Sequence, residues 1–207
     1  MRIVRGRLWL AEQPLILASR SESRRAVLAG AALAIEVLPA AVDERAIEAG
    51  ATDKSPDAIA RLLADAKALA VSARHPGRLV LGADQTLGLG GRVFAKPADL
   101  AAARAQLRAL RGRTHTLHSA IALARDGAVV FAHCEPAALT MRNFSDRFLE
   151  AYIETAGPAV TASVGGYQVE AVGIQLFERI EGDHFTILGL PLLPLLAYLR
   201  GAGYLAE

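Results

Sequence analysis

Cysteine, tryptophan and methionine are scarce: 207 residues include one Cys, one Trp and two Met. A lone Cys134 can form no internal disulfide, and His133 beside it leaves the ligand count short of a structural zinc site. Long apolar runs are missing too. The most apolar stretch, residues 187–199, contains Pro191 and Pro194 and is too short to cross a bilayer. The opening MRIVRGRLWLAEQ carries positive charge without the apolar core or cleavage site of a signal peptide. Neither sign of charge dominates, with Lys plus Arg at 23 against Asp plus Glu at 21. That balance, with no basic and aromatic stripe, argues against a nucleic-acid partner. These absences predict a soluble, cytoplasmic protein with no membrane partner.

What is present is apolar: 53% of the residues are hydrophobic, enough to bury a sizeable core in one domain or two closely joined lobes. Residues 14–18 read as a strand, residues 19–25 as a polar turn, and Ala26-Val27-Leu28 as the body of a helix. A second strand fits Ile35 to Pro39, followed by acidic Asp43-Glu44. Ser55-Pro56-Asp57 reads as a helix start, with Ile59, Leu62, Leu63, Ala66 and Leu69 as the buried face and Lys67 at its border. Leu79-Val80-Leu81 predicts a strand ending at Gly82-Ala83-Asp84-Gln85. Gly88, Gly90 and Gly91 then suggest a hairpin leading to Val93 through Pro97, rather than a dinucleotide-binding fingerprint.

The spacing of Leu100, Ala103, Leu107 and Leu110 predicts a helix over residues 100–110. Two strands, 114–124 and 128–141, are joined at Arg125-Asp126-Gly127, whose Asp-Gly pair is a hairpin signal. Ser145-Asp146 opens a helix through Ile153, Gly165-Gly166 is a turn, Gly173 to Ile180 a strand, and Pro191 to Leu199 a terminal helix. Strands alternate with helices and the hairpin adds antiparallel pairs, so the expected class is α/β with a mixed central sheet flanked by helices. Neither an internal repeat nor a low-complexity tract interrupts the pattern.

Ser19, Arg20, Ser21, Ser23, Arg24 and Arg25 combine hydroxyls, guanidinium groups and free backbone donors at a strand-to-helix junction, which suits a polyphosphate. The same residues would also serve a capped surface helix. Asp84 directly follows an apolar strand, where open sheets place ligand-contacting groups, and could bind a metal or activate water. It would equally serve as a turn residue or cap. Asp43 and Glu44 could hold Mg²⁺ through oxygen ligands or lie on a solvated loop. Lys67 and Lys96 offer positive charge to a phosphate chain, or sit on the surface. His115 and His118, three apart in a strand, should face opposite ways and share no metal. The nucleophile-elbow motif of a serine hydrolase is absent.

Taken in order, the motifs resemble the Maf family of nucleotide pyrophosphatases. The similarity runs through Leu15 to Arg25, Val42-Asp43-Glu44, Ala66-Lys67-Ala68, Leu81 to Gln85, Lys96-Pro97, Gly112 to His115, Leu176 to Gly182 and Leu188 to Leu192. It spans roughly residues 14–203, leaving residues 1–13 as an N-terminal extension to a single domain over 14–207. The resemblance implies two lobes with a cleft, of the Maf and inosine-triphosphatase type, often a homodimer, and hydrolysis between the α and β phosphates of a nucleoside triphosphate. By position it makes Asp84 the catalytic acid and places Ser19 and Arg24 in the substrate-binding N-terminal motif. Lys67 and Lys96 become phosphate-site residues, and Glu44 joins Asp84 on a divalent cation, Mg²⁺ or Mn²⁺. A link to septum formation and cell division comes with the family as an alternative role. Gln85 and Glu170 resemble the branch acting on 7-methyl-GTP rather than the thymidine and uridine triphosphate branch. Against that, Ser23 stands where that branch has tryptophan and Glu22 where it has proline.

Overall fold

The computed structural model describes residues 8–206. The extension expected over residues 1–13 therefore falls partly outside the described residues. Residues 8–10 lie beside the C-terminal end: Leu10 donates its amide to the Tyr204 carbonyl and Leu8 accepts from Ala206. The Trp9 and Tyr204 rings stack with centroids 6.1 Å apart.

The centre of the fold is a seven-stranded mixed sheet. The all-apolar strand β1 (Leu15–Leu17) is buried on both faces, which is why it sits between two parallel neighbours, β2 (Ile35–Val37) and β3 (Val80–Leu89). Next to β3 come three antiparallel strands, β5 (Thr114–Arg125), β6 (Ala128–Met141) and β7 (Phe177–Glu181), while the short β4 (Arg92–Phe94) folds back on β3. The β5–β6 turn has Asp126 at φ 53° and Gly127 at φ 76°, the left-handed pair that a two-residue hairpin between twisted strands demands.

Alternation along the strands divides the sheet into two faces. One face is covered by α3 (Pro56–Ser72), whose Ala60, Ala64 and Ala68 pack on Ala120, Ala122 and Ala124 of β5. Small side chains on both surfaces let the helix lie close to the strands. The opposite face carries two apolar clusters. Toward one end Leu81, Ala83, Ile121 and Leu123 pack with α1 (Glu22–Gly30) and α7 (Leu192–Gly201). Toward the other, Leu87, Leu117 and Leu139 pack with α4 (Leu100–Leu110) and α5 (Asp146–Ala156).

Between the clusters runs a polar row, Gln85 opposite Ser119 and Ser119 opposite Glu135 in register. The short helix α6 (His184–Ile187) closes over this row. Gln85 donates its amide nitrogen to the Ser119 hydroxyl at 2.8 Å and the Thr186 carbonyl at 3.2 Å, and the Ser119 hydroxyl donates to the same carbonyl at 2.7 Å. Ser119 and Thr186 are fully buried while Gln85 and Glu135 are partly so, and a polar row with its groups paired separates two cores without leaving donors orphaned.

Several expectations need correction. The strand expected to end at Gly82-Ala83-Asp84-Gln85 continues through these residues to Leu89, because β5 pairs with β3 as far as Gly88. On α3, Leu62 is 39% exposed, and the buried stripe is Ile59, Ala60, Leu63, Ala64, Lys67 and Ala68, so Lys67 lies within the covered face. Leu100 is likewise exposed at the start of α4. The strand expected from Gly173 begins only at Phe177, since residues 172–176 form a 3-10 turn. Two helices were unforeseen: α2 (Glu44–Gly50), which starts where Asp43 caps the Ala46 amide at 3.0 Å, and the short α6, which Asp183 caps at the Thr186 amide.

Candidate active site

β3 is paired along one edge by β5, but its other edge is interrupted. β1 accompanies it only as far as Leu81, and β4 joins at Leu87. Residues 82–86 thus have no strand on that side, and the chain segments leaving β1 and β4 flank the gap. Ser19 follows β1, Lys96 follows β4, and Asp84 sits in the gap itself. A break in an otherwise continuous ladder leaves backbone groups open to other partners, which makes it a natural place for a site.

Asp84 points to the α3 side of the sheet. There Lys67 Nζ donates to Asp84 Oδ1 at 2.6 Å and lies 2.9 Å from Glu44 Oε1 at the start of α2. Lys67 and Asp84 are almost fully buried, whereas the Glu44 side chain is half exposed. One ammonium therefore joins carboxylates from a strand and from an outer helix that buries no residue of its own. Glu48, one helical turn beyond Glu44, belongs to the same electrostatic group. Burial, then the negative charges of Asp84 and Glu44, raise its pKa, and Lys67 opposes them. No sequence motif singled out Glu48; the Asp43 cap, which announces a helix carrying acids at i and i+4, was the available signal.

Arg24 lines the same gap from the α1 side. Its Nη1 donates to the Ala83 carbonyl at 2.8 Å, taking a backbone acceptor on the interrupted edge, and to Ser19 Oγ at 3.2 Å. Nε donates to the Gly189 carbonyl at 2.9 Å. Burial pulls the guanidinium pKa below its ordinary value, while the carboxylates of Asp84 and Glu44 push it back up. Ser19 Oγ also accepts from the Ser21 amide at 3.2 Å, and Ser21 Oγ caps α1 by accepting from the Arg24 amide. The polar stretch read from the sequence is thus one hydrogen-bonded turn with its guanidinium turned inward.

The remaining expected residues stand apart from this cluster. Gln85, next in sequence to Asp84, faces the other side of the sheet and is committed to Ser119, Thr186 and Ile187. Lys96 is exposed at the far rim of the gap and makes no hydrogen bond or ion pair among the described residues. Glu170 is exposed and accepts from the Ser23 hydroxyl at 3.1 Å, one residue from Arg24. His115 and His118 do face opposite ways: the first is buried against Tyr167 and Phe177, the second lies near Gly88 and Asp57.

The donor set at the gap consists of hard carboxylate oxygens. Among the described residues, no three His, Cys, Asp or Glu side chains form a ready-made ligand shell. Asp84 and Glu44 match the donor type of a small divalent cation such as Mg²⁺, which characteristically takes one or two protein carboxylates together with substrate phosphates and water, while Lys67 Nζ contacts both carboxylates, at 2.6 and 2.9 Å.

A model of the family described as Maf-like protein matches residues 14–202, which takes in β1, the gap and every group just described. The chain belongs to the Maf-like protein family. A nucleoside triphosphate pyrophosphatase of Rhodopseudomonas palustris (strain BisB18) is 58% identical over 199 residues, covering 96% of this chain and 98% of that protein. A 7-methyl-GTP pyrophosphatase of Mesorhizobium japonicum is 55% identical over 193 residues, covering 92% of this chain and 97% of the relative. Among solved structures, a HAM1 protein from Coxiella burnetii shares the fold at 18% identity, with a TM-score of 0.50 over 90% of this chain and 98% of that one. This Maf-like chain therefore has a fold recurring at low identity and close relatives named for the same reaction type.

Proposed function

We propose that this Maf-like protein hydrolyses nucleoside triphosphates between the α and β phosphates, releasing a nucleoside monophosphate and pyrophosphate. The observation that carries the reading is the joining of Lys67 to both Asp84 and Glu44 beside the Arg24 turn, at the break in the β3 edge. Relatives named for this activity at 55–58% identity over nearly the whole chain support it.

In the reaction, a water oxygen attacks the α phosphorus, the bond from that phosphorus to the α–β bridging oxygen breaks, and pyrophosphate leaves with that oxygen. Asp84 is the acceptor for the proton the water gives up. Lys67 orients the Asp84 and Glu44 carboxylates and supplies positive charge to the phosphate chain. Arg24, fixed by carbonyls on two sides, holds the α1 turn so that the backbone donors at its start meet the phosphates. Lys96 reaches the departing pyrophosphate from the opposite rim. Mg²⁺ or Mn²⁺ held by Asp84 and Glu44 would neutralise charge on the triphosphate and lower the pKa of the attacking water.

The test is a product assay on the full chain. Purified protein is incubated with a panel of triphosphates and Mg²⁺ or Mn²⁺, and monophosphate and pyrophosphate should appear in equal amounts. Diphosphate and orthophosphate as products would place the cleavage at the wrong bond and overturn the reading.

A further inference from the structure

Lysine is the rarer base in this chain: of 23 Lys and Arg residues, only Lys54, Lys67 and Lys96 are lysines. Lys54 and Lys96 are exposed, whereas Lys67 is almost fully buried and bridges Asp84 at 2.6 Å and Glu44 at 2.9 Å. Among the described residues, Lys67 is the only cation in contact with either carboxylate. Arg24 feels the charge of both, but it spends its donors on the Ala83 and Gly189 carbonyls and on Ser19.

The ammonium stands between the two oxygens that a shared divalent cation would also need. Two cations pressed against the same oxygens in a largely buried site repel strongly, because little water screens them. What can yield is well defined. The backbone at Lys67 is held, since the alanines of α3 pack on β5. The side chain is free to swing, because it ends in a single ammonium on a four-carbon stem and lacks the planar fork that fixes Arg24. Glu44 has room to follow, being half exposed on α2, which buries no residue. Each carboxylate gives Lys67 one oxygen, Asp84 Oδ1 and Glu44 Oε1, and its second oxygen accepts no hydrogen bond among the described residues. A cation entering the gap therefore meets unpaired oxygens first and draws the carboxylates off the ammonium from there.

We propose that Lys67 is an exchangeable counter-ion: it joins Asp84 and Glu44 until a divalent cation takes both carboxylates, and it then turns to the phosphate chain. The proposal rests on the pyrophosphatase reading for its triphosphate and adds the coupling between the two ligands. Cation and triphosphate both favour the state with Lys67 released, the first by occupying its partners and the second by pairing with it. Ligands that favour the same state tighten each other's binding. Lys67 is thus a positioning residue that links the two through one side chain. The exchange also keeps α2 tied to the sheet, because the cation replaces the ammonium as the link from Glu44 to Asp84.

With so few lysines, carbon NMR of the full chain carrying labelled lysine separates the Lys67 side chain from Lys54 and Lys96, and Lys67→Met assigns its signal. Relaxation of that signal is measured for the protein alone, with Mg²⁺, and with Mg²⁺ plus tripolyphosphate. The side chain should be restricted in the first state, as mobile as Lys54 in the second and restricted again in the third. Calorimetry with Mn²⁺ then compares wild type and Lys67→Met. The variant should bind Mn²⁺ alone about 10-fold more tightly, and tripolyphosphate should strengthen Mn²⁺ binding about 10-fold more in wild type than in the variant. A Lys67 signal that stays restricted with Mg²⁺ alone would overturn the proposal, since the cation would then sit on the outer oxygens with the ammonium unmoved. Equal or weaker Mn²⁺ binding by Lys67→Met would overturn it as well. Should Lys67→Met fail to fold, relaxation in wild type still decides, with Lys54→Arg and Lys96→Arg assigning the signal by elimination. Neither measurement needs turnover. Release of Lys67 in a protein that cleaves no triphosphate would end the reaction reading and leave the exchange standing, whereas pyrophosphate release with Lys67 unmoved would do the reverse.

Discussion

A Cβ built on Gly82 would lie 2.2 Å from the Ala64 carbonyl oxygen and 2.6 Å from the Ala68 amide nitrogen, so the backbone of α3 rests directly on β3. This approach has a consequence for the site. Lys67 precedes Ala68 and Asp84 lies two residues beyond Gly82, and the two side chains meet at 2.6 Å. The obstacles to a larger residue at position 82 are mostly backbone atoms, which cannot swing aside. Gly82→Ala should therefore lift α3, costing about 1–3 kcal/mol by overpacking, and separate Lys67 from Asp84. Urea unfolding with activity measured in parallel checks both effects. Gly30→Ala is the control, because nothing lies within 4 Å of a Cβ there, and its stability should stay within about 0.5 kcal/mol of wild type. An unchanged midpoint for Gly82→Ala would mean that α3 is not seated on the strand.

Asp84→Asn keeps the shape of the side chain and removes its capacity to take a proton. Turnover should fall by about 100- to 10,000-fold, while the nucleotide Kd measured by calorimetry changes only a few-fold. The split matters because a carboxylate needed mainly in the transition state affects kcat more than binding. An Asp84→Asn enzyme within about five-fold of wild-type turnover, a loss far smaller than this reading requires, would remove Asp84 from the proton-accepting role.

Arg24 holds three acceptors from three chain segments: the Ala83 carbonyl, Ser19 Oγ and the Gly189 carbonyl. Lysine keeps the charge but cannot span all of them with one ammonium. Arg24→Lys should lose about 1–3 kcal/mol of stability through carbonyls left short of a donor, and KM should rise because the α1 turn is no longer fixed. Matching urea curves and steady-state kinetics test the two halves separately. Wild-type behaviour in both would show that only the charge of Arg24 counts.

Features governed by local chemistry were readable from the chain. The bounds of α4 follow from its apolar spacing and the Asp99 cap, and the β5–β6 hairpin follows from Asp126-Gly127. Features set by distant partners were harder. The interruption at Gly82 and Asp84 resembles a strand end, yet β5, more than thirty residues away, keeps β3 extended through it. The buried stripe of α3 is shifted because its partner surface is alanine and glycine, so Ala60, Ala64 and Ala68 go inward while the larger Leu62 stays out. The helix α2 escaped notice because only Ile47 interrupts its polar and small residues, and Glu48 escaped with it. Lys67, Asp84 and Glu44 were each named from sequence. Their contact through one ammonium depends on chain crossings that no short motif encodes.

His115 links the core to pH. Its Nε2 lies 2.6 Å from the Tyr167 hydroxyl, while the buried Nδ1 has no partner among the described residues. Burial pulls its pKa from 6.5 down to about 4. Because the folded value is the lower one, the unfolded chain binds the proton first as pH falls. The neutral ring's contribution is complete above about pH 6.5 and declines as pH drops toward 4, at about 1.4 kcal/mol per pH unit. His115→Gln retains a polar partner for Tyr167 but does not titrate. Urea unfolding of both proteins between about pH 4.5 and 7.5 isolates the effect, since carboxylates common to both cancel in the difference. Wild-type stability minus variant stability should be constant above neutrality and shrink steadily through the acidic range. A difference that stays flat down to about pH 4.5 would show that the core accommodates a charged imidazole, and that burial at this position does not disfavour the proton.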